Sequence, residues 1–168
     1  MTIEYTSNDE EVRAVTTIEA YASSGPPRSS AVRIGALLGL KRAEELDDLS
    51  LADRVAKGLA PSAAVAIARV LGAERVVGPI VPEATLRRAR VGRRSLSREH
   101  SERLYEIGRV LDELARVYHG DVASIVGFLT QPHPLLDGRT PFDLARSSSA
   151  GSDAVLRLIE RADAGVPV

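Results

Sequence analysis

Residues 97–118 read SREHSERLYEIGRVLDELARVY, and this stretch decides the fold. Ser97 is a helix N-cap residue, and its hydroxyl suits the free amides of a first turn. Leu104, Ile107, Leu111, Leu114 and Tyr118 then recur at spacings of 3, 4, 3 and 4. That is a heptad seam on a helix reaching Tyr118 or His119. Val110 and Val117 widen the stripe, so the helix packs in a globule or bundle. Two heptads are too few for an autonomous coiled coil. The seam is expected to serve as a core helix or as a dimer face.

The rest of the chain agrees with helix. Of 168 residues, 44% are hydrophobic and only 4% aromatic, so the core is built from Ala, Leu, Val and Ile. Alanine and leucine favour helix, and few segments alternate as strands do. An all-α fold follows: a helix-turn-helix-like N-terminal bundle, then the long helix and a small helical module. The domain reading is an N-terminal extension and linker over 1–30, a helix-turn-helix domain over 31–96, and a helical dimerisation and binding domain over 97–168.

Within the extension, Asn8 to Glu11 is a plausible helix start, and Ser23 to Ser30 reads as a linker. Short helices are expected over Ala31–Leu40 and Leu51–Leu59, with the charged stretch Lys41–Asp48 between them as a loop or helix edge. Pro61 opens the next helix at the position where proline is tolerated, and it runs to Gly72. Glu74–Val77 starts a very short helix that Gly78-Pro79 ends. Pro82 then opens a helix to about Val91. Helix, short helix, tight turn, helix is the plan of a helix-turn-helix. Beyond the long helix, Asp121 caps a helix through Leu129. Thr140-Pro141 caps and starts another, and Ala150–Ala164 is the last, ended by Gly165.

Net charge is -1, so nothing pulls the whole chain toward nucleic acid or anionic lipid. Residues 84–98 nevertheless hold six arginines (Arg87, Arg88, Arg90, Arg93, Arg94 and Arg98) and no acid. Thr85, Arg87, Arg88 and Arg90 fall on the second helix of the motif, the one that enters a major groove. Arg93 and Arg94 follow, where they could hold phosphates. The guanidinium fork fits both guanine edges and phosphate oxygens. The alternatives are the arginine bias of a GC-rich genome, or a solvated face paired with Glu99, Glu102 and Glu106.

Catalytic and metal chemistry find little footing. Cysteine is absent, which excludes disulfides and thiolate metal sites. His100, His119 and His133 lack ligand-spaced partners. Ser147, Ser148 and Ser149 read as a cap for the last helix, and Asp47-Asp48 as a solvated pair in a loop. The sequence reads as a binding protein without enzymatic activity, cofactor or metal. No apolar run approaches the roughly 18 residues that span a bilayer; a cytoplasmic protein is expected.

From Leu37-Leu38-Gly39 onward the chain resembles the Xre/MbcA/ParS-type antitoxins, partners of RES-domain toxins. Thr85-Leu86-Arg87-Arg88 resembles their recognition helix. Leu96-Ser97-x-x-x-Ser101-x-Arg103-Leu104 resembles the lead-in to their long helix. Leu136-x-Gly138-x-Thr140-Pro141-Phe142-x-Leu144, Gly151-x-x-x-Val155 and Gly165 resemble the toxin-binding domain. Phe128 stands where that family usually has tryptophan. The resemblance implies a homodimer that clamps a cognate RES-domain toxin, an NAD-consuming or ADP-ribosylating protein, and covers its active site. Toxin contact would fall on Arg157, Arg161, Gly165, Val166, Pro167 and Val168, and the dimer face on Leu104, Ile107, Leu111, Leu114 and Tyr118. It also implies repression of the protein's own operon by binding operator DNA. The alternative is a dimeric helix-turn-helix regulator with no toxin partner.

Overall fold

A computed structural model describes residues 18, 20–22 and 29–165. The helix expected from Asn8 and most of the linker from Ser23 lie outside the described residues. Among the described residues there are nine α-helices and no strand. They are α1 (Ser30–Leu37), α2 (Asp48–Lys57), α3 (Ser62–Leu71), α4 (Ala73–Val76), α5 (Glu83–Val91), α6 (Arg98–Val117), α7 (Val122–Thr130), α8 (Pro141–Ser147) and α9 (Ser149–Asp163). Single 3₁₀ turns occur at Ala20–Ala22, Ala43–Glu45 and Pro134–Leu136.

Helix α6 is the axis of the molecule. Its Ser97 cap accepts from the His100 amide at 3.3 Å. Two i,i+4 pairs, Arg98–Glu102 and Glu99–Arg103, support its exposed first turns. The inner face buries Leu104, Ile107, Val110, Leu111, Leu114 and Ala115 completely or nearly so. Each such leucine or isoleucine stabilises the fold by about 1.5–3 kcal/mol. Helices α1, α2 and α3 pack on α6 from the N-terminal half, and α7, α8 and α9 from the C-terminal half. One buried cluster runs through both halves, from Ile18 to Ile159.

This corrects the reading of the seam as a dimer face. Leu104, Ile107, Leu111 and Leu114 are at most 1% exposed within a single chain. They have no surface left for a second copy, so the seam is a core helix. Tyr118 is half-buried and packs on Phe128 with ring centroids 6.4 Å apart.

Two boundaries also differ from expectation. Helix α2 begins at Asp48, not Leu51, because Asp47 caps it and accepts from the Ser50 amide at 2.7 Å. The paired acids expected in a loop are a cap and a first-turn residue, where the helix dipole favours negative charge. Ser29, read as linker, is the N-cap of α1.

The extension is not detached at residues 18 and 20–22. Ile18 is 1% exposed. Gly120, in a left-handed conformation (φ 78°), lets the Ile18 carbonyl approach so closely that a Cβ there would lie 2.4 Å from it. Tyr21 donates to the Asp112 carboxylate at 2.6 Å. Arg33 of α1 donates to both oxygens of the same carboxylate, at 2.7 and 3.0 Å. Two N-terminal segments, at Tyr21 and Arg33, thus meet at one buried acid of α6.

Candidate functional site

Two surfaces carry unengaged charge, and each is built on rigid elements. The first is α5. The turn before it is tight: Gly78 donates to Val81 O at 2.9 Å, and Ile80 and Val81 both donate to Val76 O. Val76, Ile80 and Val81 are fully buried, so the turn after the single-turn α4 is anchored in the core. Helix α5 then buries Leu86 and Ala89 and turns Arg87, Arg88 and Arg90 outward. Thr85 is half-buried. Arg93 closes the helix in a left-handed conformation (φ 50°), while Arg94 donates to Ala89 O at 2.9 Å.

Among the described residues, Arg87, Arg88, Arg90, Arg93 and Arg94 make no ion pair, whereas Arg98 is engaged by Glu102 at 2.6 Å. Of the acids expected to neutralise this run, Glu99 goes to Arg103 and Glu106 to Arg109. Five of the six arginines are thus left without an ion pair among the described residues, and the sixth is neutralised.

The position of this surface depends on a buried serine of the long helix. Ser101 of α6 is fully buried. Its hydroxyl accepts from the Leu59 amide and donates to Ser97 O, both at 2.8 Å. Leu96 donates to Leu59 O at 2.8 Å. These bonds tie the α2–α3 turn to the α5–α6 link, and so hold the arginine helix against α6. The signal was present in the spacing Leu96-Ser97-x-x-x-Ser101, without any indication of what the second serine contacts.

The second surface is the module α7–α9. Thr140 caps α8, accepting from the Asp143 amide at 3.0 Å and donating to its carboxylate at 2.9 Å. Arg146 and then Thr140 hold the Asp143 carboxyl below the usual carboxylate range. The segment between α7 and α8 closes on itself, with His133 N–H donating to Arg139 O at 3.0 Å and Gly138 N–H to His133 O at 3.1 Å. Ser148 caps α9 by accepting from the Gly151 amide at 3.0 Å.

Gly151 shows why the last motif begins with glycine. A Cβ there would lie 2.1 Å from Leu144 O, so α9 crosses α8 at backbone contact. Ser152 is fully buried and donates to Glu106 O at 3.3 Å. Arg109 of α6 bridges Glu106 and Asp153 of α9 at 2.8 and 3.0 Å. The far end of α9 is open: Arg157, Arg161 and Gly165 are exposed, and neither arginine makes an ion pair among the described residues. Val166, Pro167 and Val168 lie outside the described residues. The two arginines are one helical turn apart and share a face.

The described residues contain no group of three His, Asp or Glu that could hold a metal. None of their helices is long and apolar enough to cross a membrane. The α5 surface carries exposed cations on a packed frame, which suits recognition of an anionic partner, whereas the end of α9 presents Arg157 and Arg161 together with the exposed acids Glu160 and Asp163. No curated protein matches the sequence. Residues 113–165, just under a third of the chain, match the family model of the antitoxin Xre/MbcA/ParS C-terminal toxin-binding domain, and this supports an antitoxin role.

Proposed function

We propose that this chain is an antitoxin that binds a cognate RES-domain toxin, an NAD-consuming or ADP-ribosylating enzyme, and inhibits it by covering the active site. The observation that carries this reading is the match of residues 113–165 to an antitoxin toxin-binding domain. Arg157 and Arg161 form the cationic approach, and the tail Gly165, Val166, Pro167 and Val168 reaches into the toxin. A plug of this kind needs affinity and no chemistry of its own. The guanidinium fork fits carboxylate or phosphate bidentately, which gives the approach its geometry.

The test is co-expression with a RES-domain toxin from the same genome. The full chain should co-purify with it and restore growth. A chain ending at Ala164 should keep its fold and lose most of the protection. Full protection by the truncated chain would exclude the tail as the inhibitory element.

The unpaired arginines of α5 support a second activity, repression of the protein's own operon. Here α5 enters the major groove, with Thr85, Arg87, Arg88 and Arg90 at base edges or phosphates and Arg93 and Arg94 on the backbone. Homodimerisation would then use a face other than the α6 seam. A regulator with no toxin shares this half of the reading and is separated from it by the co-purification test.

A further inference from the structure

An open groove of about 1220 Å³ runs beside the C-terminal end of α5. It is lined by Arg90, Arg93 and Arg94 and by Lys41 and Arg42 of the loop after α1. Its apolar lining includes Ala36, Leu40, Val65 and Ala66. Arg69 also lines the groove, and its one acid is Glu44.

The loop is fixed in place. Gly39 and Arg42 take left-handed conformations (φ 63° and 56°), and Arg54 donates to Lys41 O at 2.8 Å. Lys41 has no ion-pair partner among the described residues. Arg42 pairs with Glu45 at 2.7 Å, with side chains 72% and 55% exposed. An exposed pair of that kind contributes at most about 1 kcal/mol, so Arg42 can exchange its partner for another anion.

Six cations against one acid leave the groove with a strong positive excess, and a cleft of that kind concentrates its field and attracts polyanions. The large exposed hydrophobics, Leu49, Val91, Val122 and Leu135, all lie outside the groove, so charge is what distinguishes it. We infer that this groove is a second phosphate-binding surface, in which Lys41 and Arg42 hold the sugar–phosphate backbone of a DNA duplex whose other contacts fall on the α5 arginines. This rests on the DNA-binding half of the proposed function. It extends the interface to a loop outside the helix-turn-helix.

Phosphate contacts are independent of sequence, so the probe is a labelled duplex of about 30 base pairs and arbitrary sequence, titrated with the full chain between about 50 and 200 mM salt. Each phosphate neutralised adds about -0.9 to the slope of log affinity against log salt. The Lys41→Gln/Arg42→Gln variant should flatten that slope by about 1.8, and Lys41→Glu alone should weaken binding at an exposed position that leaves the fold intact. Arg93→Gln/Arg94→Gln is the parallel variant among the arginines after α5.

If that second variant flattens the slope and the loop variants do not, the loop assignment is overturned while α5 remains a DNA contact. No binding by the unaltered chain overturns both readings. If the loop variants release captured toxin and leave DNA binding unchanged, the groove belongs to a protein partner and the inference is wrong.

Discussion

Asp112 is the acid on which two N-terminal segments converge, and replacing it with alanine tests that junction directly. Its side chain is 6% exposed and that of Arg33 is 23% exposed. Breaking one side of a fully buried ion pair costs about 3–5 kcal/mol. Solvent reaches part of the Arg33 guanidinium, so the lower figure of about 2–3 kcal/mol applies to Asp112→Ala. For a chain of this size each kcal/mol moves the melting temperature by about 2–4 °C, giving a fall of about 4–12 °C. Tyr21→Phe removes only the phenolic bond to a charged acceptor, about 1.5 kcal/mol. The double variant should lose less than the sum of the single losses, because both report on one carboxylate. The assay is thermal and urea unfolding followed by circular dichroism. An Asp112→Ala melting point within about 1 °C of the unaltered chain, far below the expected shift, would refute the argument that Tyr21 and α1 are latched to α6.

The remaining expectations concern the frame and its pH range. Gly151→Ala, which in an open helix would stabilise by up to about 1 kcal/mol, should destabilise by about 1–3 kcal/mol through collision with Leu144 O; a raised melting point contradicts the close crossing of α8 and α9. Ser101→Ala leaves the buried Leu59 amide without its acceptor and should cost about 1–3 kcal/mol, measured by the urea midpoint, with mobility of the α5 arginines rising in relaxation experiments. The Asp47, Asp121 and Asp143 carboxyls are held below their ordinary range, Asp47 and Asp121 by serine hydroxyls and amides, and Asp143 by Arg146 and Thr140. Their contribution is present above about pH 4 and is lost as pH falls through that value and below; Thr140→Val should shrink the acid sensitivity. Burial, followed by the Asp112 charge, pushes the Tyr21 phenol far above its usual range. Above about pH 10 the unfolded chain releases that proton and the folded chain retains it, so stability should fall in alkali, and by less in Tyr21→Phe.

What could be read from the sequence was whatever is local. Ser97, Asp121 and Thr140-Pro141 mark helix starts because a cap acts within three residues. The heptad spacing gave the length and inner face of α6. Periodicity identifies an apolar face but not what covers it, so core helix and dimer face were equivalent until the covering helices were seen. Asp47-Asp48 was ambiguous for a related reason, since a solvated acid and a capping acid look alike in a charged run. The Tyr21–Asp112 and Arg33–Asp112 bonds span 91 and 79 residues, a separation at which spacing carries no information. The open state of the α5 arginines likewise depended on where Glu99, Glu102 and Glu106 point, and only the fold decides that.

The central claim is inhibition by occupation of the toxin's active site. It is tested most directly by mixing a purified RES-domain toxin, the partner proposed above, with increasing amounts of the full chain and following NAD turnover. The account expects turnover to fall to background at stoichiometric addition, with NAD or a close analogue slowing the onset by competition. Formation of a stable complex that turns over NAD at the rate of the free toxin would contradict it.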